Sequence, residues 1–168
     1  MNAWSPATLR RTGQALLVGS LLISSMAQAH PHGWIDMSVR VITNDDGAVT
    51  GLHQTWRMDP FYSLVVMEEL QQVPGASLEQ GLDQLGSEIR DNLTPQHYFT
   101  EVRVGDEPQT FGEVTEYTAM ERDGRLTFMF ILPLATPQPL SGQVLEYQVF
   151  DPTYYIEMVH EEEGDEPS

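Results

Sequence analysis

Cysteine is absent from all 168 residues. That absence excludes thiolate zinc sites, cysteine-ligated iron–sulfur clusters and cysteine nucleophiles, and it leaves the fold to its core, without disulfides. Lysine is absent as well, so the eight basic residues are all arginines, set against 25 acids. The longest apolar run, residues 15–26, falls short of the roughly 20 residues a spanning helix needs. No Gly-x-Ser-x-Gly elbow, glycine-rich phosphate loop, His-Glu-x-x-His or dinucleotide fingerprint occurs, and nothing repeats internally. Catalysis is therefore the minority reading.

What is present begins with a leader. Arg10 and Arg11, the apolar run and Ala27-Gln28-Ala29 make a secretory signal peptide over residues 1–29. Thr-Gly-Gln after the arginine pair is a poor twin-arginine signal, so the general secretory route is expected. The leader holds two of the arginines and no acid, so the remainder carries six arginines against 25 acids, a net charge of −19. Such a chain disfavours nucleic acid and anionic membrane surfaces and weakly attracts cations. A merely acidic exported protein would look the same.

Cleavage after Ala29 would start the mature protein at His30-Pro31-His32-Gly33-Trp34-Ile35-Asp36. An N-terminal histidine offers its α-amine and imidazole to one metal, and His32 adds a second imidazole. Neutral imidazole suits nickel, cobalt, zinc and copper. The amine–amide–amide–imidazole square needs two deprotonated amides, and Pro31 has no N–H to lose. An amine–imidazole clamp on His30, with His32 as a third arm, remains. The competing reading is an ordinary solvated chain start.

The body reads as mainly β in an α+β class: an antiparallel, sandwich-like sheet of about seven strands with a helical hairpin inserted at about 59–94. Alternation gives strands at 34–41 and 49–58 around an Asp46-Gly47 turn. Asp59 caps a helix with Pro60 in its first turn, and Phe61, Leu64, Val65, Met67 and Leu70 form its apolar face. Ser77-Leu78-Glu79-Gln80 is a capping box opening a second helix, with Leu78, Leu82, Leu85 and Ile89 inward. Further strands are expected at 98–104, 110–121, 126–134, 143–150 and 154–159, with a proline-rich link at 135–142. One domain thus covers residues 30–160, and residues 161–168 form an acidic, disordered tail.

Each other candidate ligand has a plainer reading beside it. His53 falls on the polar face of its strand, opposite Leu52, Gln54, Trp56 and Met58. His97 suits a surface or capping role. His160 adjoins Glu161-Glu162-Glu163, a solvated tail or a mobile collector of metal. Asp36 could orient a histidine by accepting its N–H. Asp151-Pro152 is either a ligand position or a strand break. Met37, Met58 and Met158 suit cuprous ion or, more plainly, a core.

The chain is identified as resembling one family. His30-Pro31-His32-Gly33-Trp34-Ile35-Asp36, Thr55-Trp56-Arg57-Met58-Asp59 with Tyr62-Ser63, Asp123-Gly124-Arg125-Leu126 and Asp151-Pro152-Thr153-Tyr154-Tyr155-Ile156 occur in this order in the domain of unknown function 1007 family. The resemblance spans about residues 30–158. It implies a small periplasmic component of an ABC-type system and a link to transition-metal transport, with His30, His32, Asp36 and Asp151 carried over by motif. Two departures stand out. Pro74-Gly75-Ala76-Ser77 replaces the Asp-rich, calcium-loop-like insertion of many members, so calcium is not supported, and the further cysteine-bearing segment is missing.

The expectation is a soluble periplasmic accessory protein, not an enzyme, that binds nickel, cobalt, zinc or copper and delivers it to, or senses it for, a membrane permease. The candidate ligands are His30, His32, Asp36, His53, Asp151 and His160. The alternative is a non-metal envelope module docking onto a permease. A copper-dependent oxidative enzyme stands third.

Overall fold

The structure, a computed structural model, describes residues 33–161. The signal peptide, His30, His32 and most of the acidic tail lie outside them.

Strand β1 (Gly33–Thr43) and β2 (Val49–Met58) form the expected hairpin, with Gly47 at φ 75° in its turn. Helices α1 (Pro60–Gln71) and α2 (Leu78–Leu93) follow as the inserted pair. A short 3-10 segment (Thr94–Phe99) leads to β3 (Thr100–Val104) and β4 (Glu107–Pro108). Then come β5 (Tyr117–Arg122), β6 (Arg125–Gln138), β7 (Leu145–Val149) and β8 (Ile156–His160). They assemble into a five-stranded sheet, ordered β5-β6-β2-β1-β8, and a three-stranded sheet, ordered β4-β3-β7.

Period-2 patterning decides which way the large sheet faces. Ile35, Met37, Leu52, Trp56, Leu126, Phe128, Phe130 and Leu132 all point to one face and are buried. Each such side chain contributes roughly 1.5–3 kcal/mol of apolar transfer. The two helices cover part of this face through Met67, Leu82, Leu85 and Ile89. The small sheet covers the rest, Val102 joining Val49, Leu52 and Leu134 in one cluster. A buried polar bridge ties the sheets: Gln54 Nε2 donates to Thr100 Oγ1 at 3.0 Å, and Trp56 Nε1 donates to Gln54 Oε1 at 2.9 Å.

The mainly β architecture with inserted helices is thus present, and four details differ from the sequence reading. First, β8 runs parallel to β1, while every other pair is antiparallel. Second, β6 continues through the proline-rich stretch to Gln138; its pairing with β2 shifts register between Val49 and Gly51, where missing proline N–H groups are tolerated. Gly51 is needed there, because a Cβ would lie 2.7 Å from Leu132 O. Third, Tyr98 does not start a strand: His97, Tyr98 and Phe99 have φ between 51° and 55°. Residues 110–116 likewise run outside β5, held along β6 by the Phe111–Leu134 bridge and by backbone bonds at Thr110, Gly112 and Glu116.

Fourth, α1 buries only part of its predicted face: Met67 is buried and Leu70 packs against the core. Ser63 and Met67 are its buried residues, while Phe61, Leu64 and Val65 are exposed. Apolar residues surround α1, so a polar contact sets its rotation: Ser63 Oγ accepts from Leu126 N (3.0 Å) and donates to Met58 O (3.4 Å). α2 obeys its pattern, and its capping box is formed in full.

Candidate functional site

The four described candidate ligands are scattered, and the two carboxylates already have partners. Asp36, on the open face of β1, receives Arg125 Nη1 at 2.6 Å. Arg125 also donates to Met58 O and Arg57 O, and Arg57 is the cross-strand neighbour of Asp36. This carboxylate is neutralised by guanidinium, and a metal would compete with two nearby cations.

His53 faces Arg40 across the β1–β2 pair. Burial lowers the pKa of its imidazole, and the Arg40 charge lowers it further. Both causes favour the neutral ring, the form a ligand needs, but the neighbouring guanidinium repels a cation.

Asp151 is buried, and both oxygens are occupied. Oδ1 accepts from Thr153 N (2.8 Å) and Thr153 Oγ1 (2.7 Å). Oδ2 accepts from Tyr155 N (3.1 Å) and Ile156 N (3.0 Å). Burial alone would raise its pKa, but these four donors outweigh burial and hold the carboxyl below its usual range. Asp151 shapes the loop into β8, and of its donors only the Thr153 hydroxyl depends on the identity of the side chain.

His160 is exposed at the end of β8, opposite Met37, with its ring 5.7 Å from that of Tyr147. His97 is exposed in the 3-10 segment. Among the described residues no group of three or more histidines, aspartates or glutamates is arranged to hold a metal. Met37 and Met58 are buried and Met158 packs against the same core, as a core role requires.

A cavity of about 280 Å³ opens where β1 begins. Its walls are largely apolar, with Trp34, Trp56, Tyr62, Phe99 and Tyr155 among them. Trp56 and Phe99 stack with centroids 6.3 Å apart. Asp59 is the one acidic side chain in the lining and is itself only 8% exposed. Two bonds fix it: its backbone N–H donates to Trp34 O (3.1 Å), and its Oδ1 accepts from Tyr62 N (2.9 Å) as the cap of α1. Its Oδ2 lies against Gly33, where a Cβ would come within 2.8 Å of it. Glycine at 33 therefore leaves room for the carboxylate. Tyr62 is kept protonated by burial first, then by Glu69 and Asp59, all raising its pKa.

The sequence reading gave Asp59 only a helix-capping role. The signal for more was its sharing a motif with Trp56, together with Gly33 standing directly after His32. The long-range contact between Gly33 and Asp59 was not visible in either stretch alone.

Comparison with known proteins gives relatives without an assigned activity. An uncharacterized protein of Haemophilus influenzae is 28% identical over 154 residues, covering 87% of this chain and 69% of that protein. An uncharacterized 15.5 kDa protein in the trpE 3′ region of Spirochaeta aurantia is 32% identical over 74 residues. That alignment covers 44% of this chain and 52% of the relative. No solved structure matches. The sequence profile described as Protein of unknown function (DUF1007) matches residues 15–168, and the chain belongs to that family.

Proposed function

We propose that this chain is an exported, non-catalytic accessory protein that binds a divalent transition metal where β1 begins and delivers it to, or senses it for, a membrane permease. The periplasm is its compartment. His30 supplies amine and imidazole, His32 a second imidazole, and Asp59 replaces Asp36, His53, Asp151 and His160 as the internal ligand. The observation that carries this reading is the buried Asp59 carboxylate at the cavity beside Gly33, the residue next to His32. Nitrogen donors with one carboxylate suit nickel, cobalt, zinc and copper. Among the described residues no helix is long and apolar enough to cross a membrane.

The test is titration with nickel, zinc and copper of the chain starting at His30. Beside it stand a version with one extra residue ahead of His30 and an Asp59→Asn variant. Binding that weakens in both altered versions, and as pH falls through about 6.5 where imidazole protonates, supports the clamp. Equal binding in all three, or binding undiminished at pH 5, overturns it.

A second reading has its own observation. Phe61, Leu64 and Val65 leave an apolar face on α1 uncovered, as a docking module would require. Membrane association that survives chelator and is lost in Phe61→Ser/Leu64→Ser would favour it over metal binding.

A further inference from the structure

The parallel pairing of β8 with β1 stops early. β8 covers residues 33–37 of β1, ending with Met37 opposite His160, while β1 itself runs on to Thr43. Among the described residues nothing pairs with residues 38–43 on that side. A free edge of this kind presents a row of unpaired N–H and C=O groups and templates another strand. Val41 is exposed there.

Glu161 continues the ladder beyond β8. Its N–H donates to Met37 O at 2.8 Å, and its carboxylate pairs with Arg57 on the open face of the sheet. Period-2 alternation then fixes what the following residues would meet. Extending the register puts Glu161 opposite Ser38, Glu163 opposite Arg40 and Asp165 opposite Ile42. Glu163 would share a face with Arg40, whose other neighbour is His53.

That face gathers four of the arginines of an otherwise acidic molecule. Arg40, Arg57, Arg122 and Arg125 all lie on it by strand register, beside Asp36, Glu157 and Glu161; Asp36 matches Arg125 and Glu161 matches Arg57, while Arg40 has no ion pair among the described residues. Arg57 Nε is buried with no hydrogen-bond acceptor among the described residues. Glu162 and Gly164 would turn the other way, at the sheet margin. Residues 162–166 span about 16 Å as a strand, enough to reach Thr43.

We infer that the free edge of β1 is a strand-docking site whose occupant is the chain's own acidic segment, residues 162–166, extending β8 in register with Glu163 beside Arg40. Backbone bonds would run from Val39 N to Glu161 O and from Val41 N to Glu163 O, repeating the Met37–Glu161 pattern. A partner strand of another protein would have to displace this segment.

Amide hydrogen exchange at Val39 and Val41 tests it, independently of any metal. The chain through Ser168 is compared with one ending at Glu161 and with full-length Arg40→Glu, which sets like charges opposite. Leu52 and Trp56, in the sheet centre, report that each variant is folded. Exchange at Val39 and Val41 at least tenfold faster in both variants, with Leu52 and Trp56 unchanged, is the expected result. Equally fast exchange in all three means an open edge and overturns the inference. Equally slow exchange in all three means another occupant, such as a second copy, and overturns it too.

Discussion

Asp59 and Asp151 are both buried aspartates, each followed by proline, and each sits where the chain changes element. Their surroundings divide them. Asp151 has four donors on two oxygens, all from residues 153–156, and none of its acceptor capacity is left for a ligand. Asp59 has one capping bond on Oδ1, while Oδ2 lies against a glycine at the edge of an apolar cavity. Burial alone does not mark a functional acid. What distinguishes the two is which lone pairs the fold has already used.

The largest effect expected from breaking this comparison is on stability. Asp151→Ala leaves Thr153, Tyr155 and Ile156 donors without their acceptor and should cost about 2–4 kcal/mol in urea unfolding at pH 7. Metal affinity should not change. The sign with pH follows from the depressed carboxyl: its contribution is complete above the unfolded value of about 3.9 and is lost as pH falls through the folded one. The native protein should therefore lose more stability between pH 5 and 2 than Asp151→Ala does. Parallel acid profiles for the two would show that Asp151 is not the anchor described.

Asp59→Asn should reverse the pattern. Asparagine caps a helix about as well as aspartate, so unfolding should shift by less than about 1 kcal/mol. Nickel or zinc affinity should fall tenfold or more, about 1.4 kcal/mol. A large stability loss with unchanged affinity would make Asp59 a second Asp151. Gly33→Ala probes the same pair from the other side. Its Cβ, 2.8 Å from Oδ2, should cost about 1 kcal/mol. The cost should shrink in an Asp59→Ser background, which keeps a cap and removes the clashing oxygen. Additive losses in the double variant would place the strain elsewhere.

Much of this was legible in sequence, for identifiable reasons. The β1–β2 hairpin, the α2 capping box and the inward set Leu52, Gln54, Trp56 and Met58 are local patterns, and the structure contains them. The rotation of α1 was not legible, because apolar residues surround that helix and Ser63 decides its seating through Leu126, far along the chain. The parallel β8 was hidden for a similar reason, since alternation does not tell strand direction. The site candidates were chosen by residue type, but Asp36 and His53 are neutralised or opposed by Arg125 and Arg40, and those arginines are close only in space. Asp59 was visible as a cap and invisible as a cavity wall.

The smallest effect would sharpen the comparison most. Thr153→Val removes one donor from Asp151, the Thr153 hydroxyl at 2.7 Å, and leaves the Thr153, Tyr155 and Ile156 N–H groups in place. A single hydrogen bond to a carboxylate of this kind should be worth about 1 kcal/mol after the gain from a more apolar side chain. The Asp151 carboxyl should titrate at a higher pH than in the native protein, so the acid loss of stability should begin earlier. Carboxyl-carbon NMR of Asp151 and urea unfolding at pH 7 and pH 3 measure both. If the carboxyl titrates unchanged in Thr153→Val, the backbone donors alone hold it, and the hydroxyl belongs to the loop's geometry and not to its charge.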